Sequence, residues 1–221
     1  PATGNIDIVM RDDKTIMDGH IDITKCRIQA FLHDYMALFM PELLDVQTNT
    51  ELSASAIISG SYDYVTGFLP KIDFTLDVPD SEINYSTFPE KIQMGIDASF
   101  HMDSTGRMSA DVSRAKLQTY GLGLNTSASM DDIMGEDPEI GINGNLWASL
   151  DSLRKFLPDT LNLVATGEIT AGLNGSIKMS QFDIYEFSNA KLEGNIKGNG
   201  FILQMPDDTI DVKMDGLDIV L

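Results

Sequence analysis

Lys71-Ile72-Asp73-Phe74-Thr75-Leu76-Asp77-Val78 sets an apolar side chain at every second position, with a charged or hydroxyl-bearing one at most of the positions between. Successive side chains of a β-strand point to opposite faces, so this spacing reads as a strand with one dry face and one wet face. Strands of that kind build antiparallel sheets. The same alternation recurs in Gly4-Asn5-Ile6-Asp7-Ile8-Val9-Met10 and in Asp18-Gly19-His20-Ile21-Asp22-Ile23. It returns in Ile92-Gln93-Met94-Gly95-Ile96-Asp97-Ala98-Ser99-Phe100 and in Gly167-Glu168-Ile169-Thr170-Ala171-Gly172-Leu173. Turn residues at Arg11-Asp12-Asp13-Lys14, Asp103-Ser104-Thr105-Gly106 and Met205-Pro206-Asp207-Asp208 separate the runs and predict hairpins and meanders.

Two stretches carry helical spacing instead. Phe31, Leu32, Tyr35, Met36, Leu38 and Phe39 predict a helix over 29–40 that Pro41 ends. Leu150, Leu153, Phe156 and Leu157 predict a shorter one over 149–157, with Asp151 as a candidate N-cap and Pro158 as its stop. Phe39 and Phe156 are expected to anchor these helices on the sheet. The fold class is therefore mainly β: elongated, curved antiparallel sheet repeats, a groove or a partly open barrel or sandwich, with two short capping helices.

The chain repeats itself. Asp34, Phe39 and Pro41 return as Asp151, Phe156 and Pro158, and Glu51-Leu52-Ser53-Ala54 returns as Glu168-Ile169-Thr170-Ala171. A little out of that register, Lys71-Ile72-Asp73 falls on Lys191-Leu192-Glu193. Long internal repeats point to an extended array. The expected division is 1–133, a first repeat unit with preceding strands, and 134–221, a second and truncated unit, joined through the loop-like 130–139. The start without Met and the strand-like end predict a fragment of a longer protein.

Composition narrows the function. The net charge is −19, from 34 acids against 15 bases. Such a surface repels phosphate backbones, which argues against nucleic acid as a partner and against docking flat on an anionic membrane. The single Cys26 excludes an internal disulfide and is expected as a small buried residue. The longest apolar stretch, 35–44, is about half the ~20 residues a membrane helix needs.

Catalytic and metal motifs are missing. His20, His33 and His101 stand apart, and no Cys pair, His-Glu-x-x-His or EF-hand spacing is present. The pairs Asp12-Asp13, Asp131-Asp132 and Asp207-Asp208 read as solvated turns. Gly121-Leu122-Gly123 lacks the third glycine of a dinucleotide loop, and nothing orients Cys26 and His33 as a dyad. The expectation is a non-enzymatic chain with no cofactor and no metal.

A longer pattern runs from Gly144-Asn145-Leu146-Trp147-Ala148-Ser149-Leu150 through the short helix to a strand at 163–176. A polar bridge with Asp183 and Tyr185 follows, then Asn189-Ala190-Lys191-Leu192-Glu193-Gly194-Asn195-Ile196-Lys197-Gly198-Asn199-Gly200-Phe201. Together with Lys116-Leu117-Gln118-Thr119-Tyr120-Gly121-Leu122-Gly123-Leu124-Asn125-Thr126-Ser127-Ala128, it resembles the AsmA-like proteins of Gram-negative envelopes, and closely the large versions found in Bacteroidetes. The resemblance covers Gly19 to the end. It implies a periplasmic array, anchored to the inner membrane by a helix outside this sequence and involved in outer-membrane biogenesis. AsmA-like proteins are similar to bridge-like lipid transporters, in which curved sheets offer an apolar groove to acyl chains. The family has no catalytic residues to carry over.

The residues support a groove on their own account. An alternating sheet must cover its dry face, and few long amphipathic helices are present to do so. The remaining covers are a second sheet, side chains of a curled sheet, or lipid. The nominated lipid-facing residues are Ile72, Phe74, Leu76, Val78, Ile92, Met94, Ile96 and Ala98, with Leu192, Ile196, Ile210, Val212 and Met214 in the second unit. The expected partners are phospholipid or another lipid, and envelope proteins. The alternative is a non-catalytic scaffold or adhesin of the cell envelope whose same face is a closed core.

Overall fold

The structure is a computed structural model and describes residues 1–34, 36–86, 90–154, 164–182, 189–205 and 210–220. Each alternating run becomes a strand. The strands are β1 (Ala2–Met10), β2 (Lys14–Arg27), β3 (Val46–Thr48), β4 (Glu51–Asp63), β5 (Lys71–Tyr85) and β6 (Ile92–Met102). They continue as β7 (Met108–Thr119), β8 (Leu122–Asp131), β9 (Glu139–Ser149), β10 (Val164–Lys178), β11 (Lys191–Met205) and β12 (Ile210–Val220). All belong to one antiparallel sheet in chain order from β1 to β12, with the short β3 off the path on the end of β5. About 70% of the chain is strand.

The sheet is open and single-layered. Its two edges, β1 and β12, lie at opposite ends of the strand order. Among the described residues the extensive strand–strand contacts are all between ladder neighbours, and the other sizeable contacts involve the short helices and turns. The sheet is not closed, in keeping with the curved, open β architecture that the alternation predicts. The consequence is a bare molecule. A compact protein of 24.3 kDa exposes about 10,000 Å², whereas this one exposes 14314 Å². Among the described residues no large side chain is fully buried, and the buried apolar set is short: Val46, Val78, Met102, Ala148, Ala165 and Ile177.

Bulges interrupt the ladder where the alternation slips. Val78 and Ser81 bracket one in β5, Val112 and Ala115 one in β7, and Ile23 and Cys26 one in β2. Cys26 is half-buried at that irregularity, not in a core. The 130–139 stretch is the turn between β8 and β9, and these strands pair from Leu122 opposite Ala148 to Asp131 opposite Glu139. The sheet therefore runs without a break through the expected 133/134 boundary. The succession strand, short helix, three long strands occurs on both sides of it, with Lys71 opening β5 and Lys191 opening β11.

The helices are shorter than their apolar spacing predicts. Helix α1 is Ile28–Asp34, and the chain then makes separate 3-10 turns at Met36–Leu38 and Pro41–Asp45. Pro41 starts the second turn and does not end a helix; its fixed φ suits a first helical position. Phe39 is no anchor, being 82% exposed, with Leu38 at 77%. What holds α1 is polar. Gln29 Nε2 donates to the Val46 carbonyl at 2.9 Å, and the Thr48 amide donates to Gln29 Oε1 at 2.6 Å. Helix α2 is Leu150–Leu153, with Ser149 at its N-cap position. Asp151 does not cap it; its Oδ2 accepts the Gly167 amide of β10 at 3.0 Å. Phe156 and Pro158 lie outside the described residues.

Candidate functional site: the apolar face

Residues directly opposite each other in an antiparallel ladder share a face. The register therefore shows how the alternating runs combine. One row passes Ala2, Ile23, Ala54, Leu76, Ala98, Val112, Ala128, Ile142, Gly175 and Leu192, ten strands without a polar side chain. A second passes Gly4, Ile21, Ala56, Phe74, Phe100, Ala110, Met130, Ile140 and Ile177. A third passes Met94, Leu117, Leu124, Leu146, Ala171, Ile196 and Ile219. These rows lie side by side on one face. Across eleven long strands at ~4.8 Å spacing it is about 50 Å wide. Few polar residues intrude, Thr126 between Ala115 and Gly144 being one.

The nominated residues of the first unit fall on this face together. Ile72, Phe74, Leu76 and Val78 alternate along β5 and stand opposite Met102, Phe100, Ala98 and Ile96. The β5 bulge then moves the phase by one, so that Met94 and Ile92 meet Ser81 and Ile83. Burial follows the same phase: Ile72 and Leu76 are half-buried and Val78 is buried, while Lys71, Asp73, Thr75 and Asp77 are exposed. Phe74 remains 38% exposed although it sits among apolar neighbours. In the second unit Leu192 and Ile196 stand opposite Gly175 and Ala171. Val212 lies in register with Leu203 and, through it, with Ala165. The β12 positions Ile210 and Met214 pair with Met205 and Phe201. Between Phe201 and Gly198, Gly200 takes φ +58° where β11 carries an extra residue against β10.

The opposite face is mainly polar, and its strongest feature is an ion network at the bulges. Arg114, in the β7 bulge, donates from Nε to Asp97 Oδ2 at 2.6 Å and from Nη1 to Asp80 in the β5 bulge. Lys116 Nζ donates to Asp80 Oδ2 at 2.7 Å. The Arg114 guanidinium holds the Asp97 carboxyl below the usual carboxylate range, and Lys116 followed by Arg114 does the same for Asp80. Asp77, directly opposite Asp97, is pushed up by its hydrogen bond to that carboxylate. The sequence signal for this site is the slip from Val112 to Ala115, three residues where two are due, with Ser113-Arg114 between.

His101 Nδ1 lies 2.7 Å from Asp73 Oδ1 on the exposed polar face, and Ser109 of β7 stands opposite His101 in the ladder. Among the described residues no three His, Cys, Asp or Glu side chains come together as metal ligands. No described helix is long and apolar enough to cross a membrane. The chain matches no protein-family model, no curated protein and no solved structure, so fold and register alone carry the functional argument.

Proposed function

We propose that this chain is a periplasmic part of an AsmA-like envelope protein, and that it binds or conducts phospholipid along its apolar face in the service of outer-membrane biogenesis. One observation carries the reading: unbroken apolar rows cross up to ten strands of a sheet that has no second layer. Soluble monomers seldom expose contiguous apolar patches above a few hundred Å², and this face is on the order of 1,500 Å² from strand length and spacing. Water is a poor cover for such an area, at ~25 cal/mol per Å². Acyl chains suit it because they need no directed polar contact and tolerate a variable surface. Polar residues on the other face keep the array in solution. The role is one of binding and passage, with no bond made or broken.

Native mass spectrometry of the chain purified from a Gram-negative host tests this. The expected result is a series of peaks displaced by the mass of one or more phospholipids, reduced by Phe74→Asp. Bare chain alone, with no phospholipid extractable from the purified sample, would contradict the reading.

A further inference from the structure

The polar face holds a shallow cleft of about 470 Å³ over β7 to β11, away from both sheet edges. Trp147, the chain's single tryptophan, lies in it and is 37% exposed. The register sets it between Gly123 of β8 and Thr170 of β10, out of phase with Leu146 and Ala148 of the apolar face. A Cβ on Gly123 would stand 3.7 Å from the indole Cε3, so the ring lies against that glycine and leaves its outer side to solvent. Asn125, Asn145 and Asn195 share one register row beside the ring, with Gly172 between the last two. A Cβ on Gly172 would approach the Oδ1 atoms of both, at 3.2 and 3.4 Å. Gln118 stands opposite Gly123. None of these four amides hydrogen-bonds through its side chain to another described residue.

We infer that this cleft binds a neutral oligosaccharide. An exposed indole offers a flat apolar surface to the C–H face of a pyranose ring, and a polar rim satisfies the rest of the sugar. Each amide presents a donor and an acceptor together, which matches neighbouring hydroxyls that are themselves both. The volume falls within the ~300–1,000 Å³ of small-ligand sites, and the open form suits a sugar chain lying along the sheet. Charge selects a neutral ligand. Among the described residues the one cation lining the cleft, Lys116, is held by Asp80 at 2.7 Å, and the net charge of −19 repels phosphates and uronates. An extended peptide would pair with a strand edge, and the cleft lies on a face. The site is on the side of the sheet opposite the proposed lipid surface, so either assignment can fail without the other.

Because Trp147 is unique, intrinsic fluorescence reports the cleft directly. The protein is titrated with maltohexaose, cellohexaose, chitohexaose and mannohexaose. The expected result is a saturable emission change with at least one of them, at a dissociation constant of about 1 mM or tighter. Asn145→Leu should weaken that binding roughly fivefold, the effect of one lost hydrogen bond, while Phe74→Ala on the other face leaves it unchanged. Calorimetry on Trp147→Ala, with its fold checked by circular dichroism, should show no binding heat. No saturable change with any of the four at roughly 10 mM, ten times that bound, overturns the assignment. So does affinity retained within about twofold in both Trp147→Ala and Asn145→Leu.

Discussion

Arg114 ties three strands together at the point where two of them bulge, and its removal should show in the acid dependence of stability. Asp97 and Asp80 are held below the ordinary carboxylate value by Arg114 and Lys116, so their stabilising contribution is present above that value and fades as pH falls through their lowered range. Asp77 is raised and acts in the opposite sense: its contribution favours the folded state at low pH and is lost as pH rises. Arg114→Met should therefore lower the urea midpoint at about pH 7, where three carboxylates are left facing one another, and the deficit should narrow towards pH ~2 as they protonate. An equal deficit at both pH values would mean that Arg114 matters for packing alone. Gly175 makes a second residue-level case. Its φ is +143°, and a Cβ there would fall 1.9 Å from the Lys191 carbonyl oxygen, so β10 and β11 meet only because no side chain intervenes. Gly175→Ala should cost about 2–4 kcal/mol in urea titration; a cost below ~0.5 kcal/mol would show that the strands part easily. Neither the Arg114 network nor the Trp147 cleft was legible from residue type. Arg114 becomes visible only when the three-residue step from Val112 to Ala115 is read as a bulge, and Trp147 only when it is seen to keep phase with Asn143 and Asn145.

At the scale of elements, strands were far more legible than helices. Alternation is an intrinsic property of a half-buried strand, and Lys71 to Val78 or Ile92 to Phe100 need no knowledge of their neighbours. A helix this short needs a surface to pack on, and the 29–40 spacing says nothing about whether one exists. The surface it finds is small and polar: Phe31, Leu38, Phe39 and Met40 are all exposed, and α1 ends at Asp34 with Gln29 and His33 turned to the Val46 carbonyl. Phe39→Ala is thus expected to change stability by less than ~0.5 kcal/mol, as surface substitutions do. A loss near the ~3–5 kcal/mol of a buried phenylalanine would put Phe39 under a cover that the chain itself does not provide.

For the molecule as a whole, parity within each strand was readable but the order and register of strands were not. Ile72, Phe74, Leu76 and Val78 share a side by period alone. That they line up with Ala98, Val112, Ala128 and Ile142 depends on turn lengths and on bulges that restore phase. The missing second layer was equally hidden, because an alternating strand in a sandwich has the same pattern as one in an open sheet. The uncovered face is what the proposed function rests on, and photocrosslinking tests it most directly. Photoreactive residues are placed at Phe74 and Met94 of the intact protein in cells, with controls at Asp73 and Gln93 on the polar face. Phospholipid adducts are expected at Phe74 and Met94 and none at the controls. Protein–protein crosslinks alone at the first pair, or lipid captured equally at the controls, would contradict the proposed function.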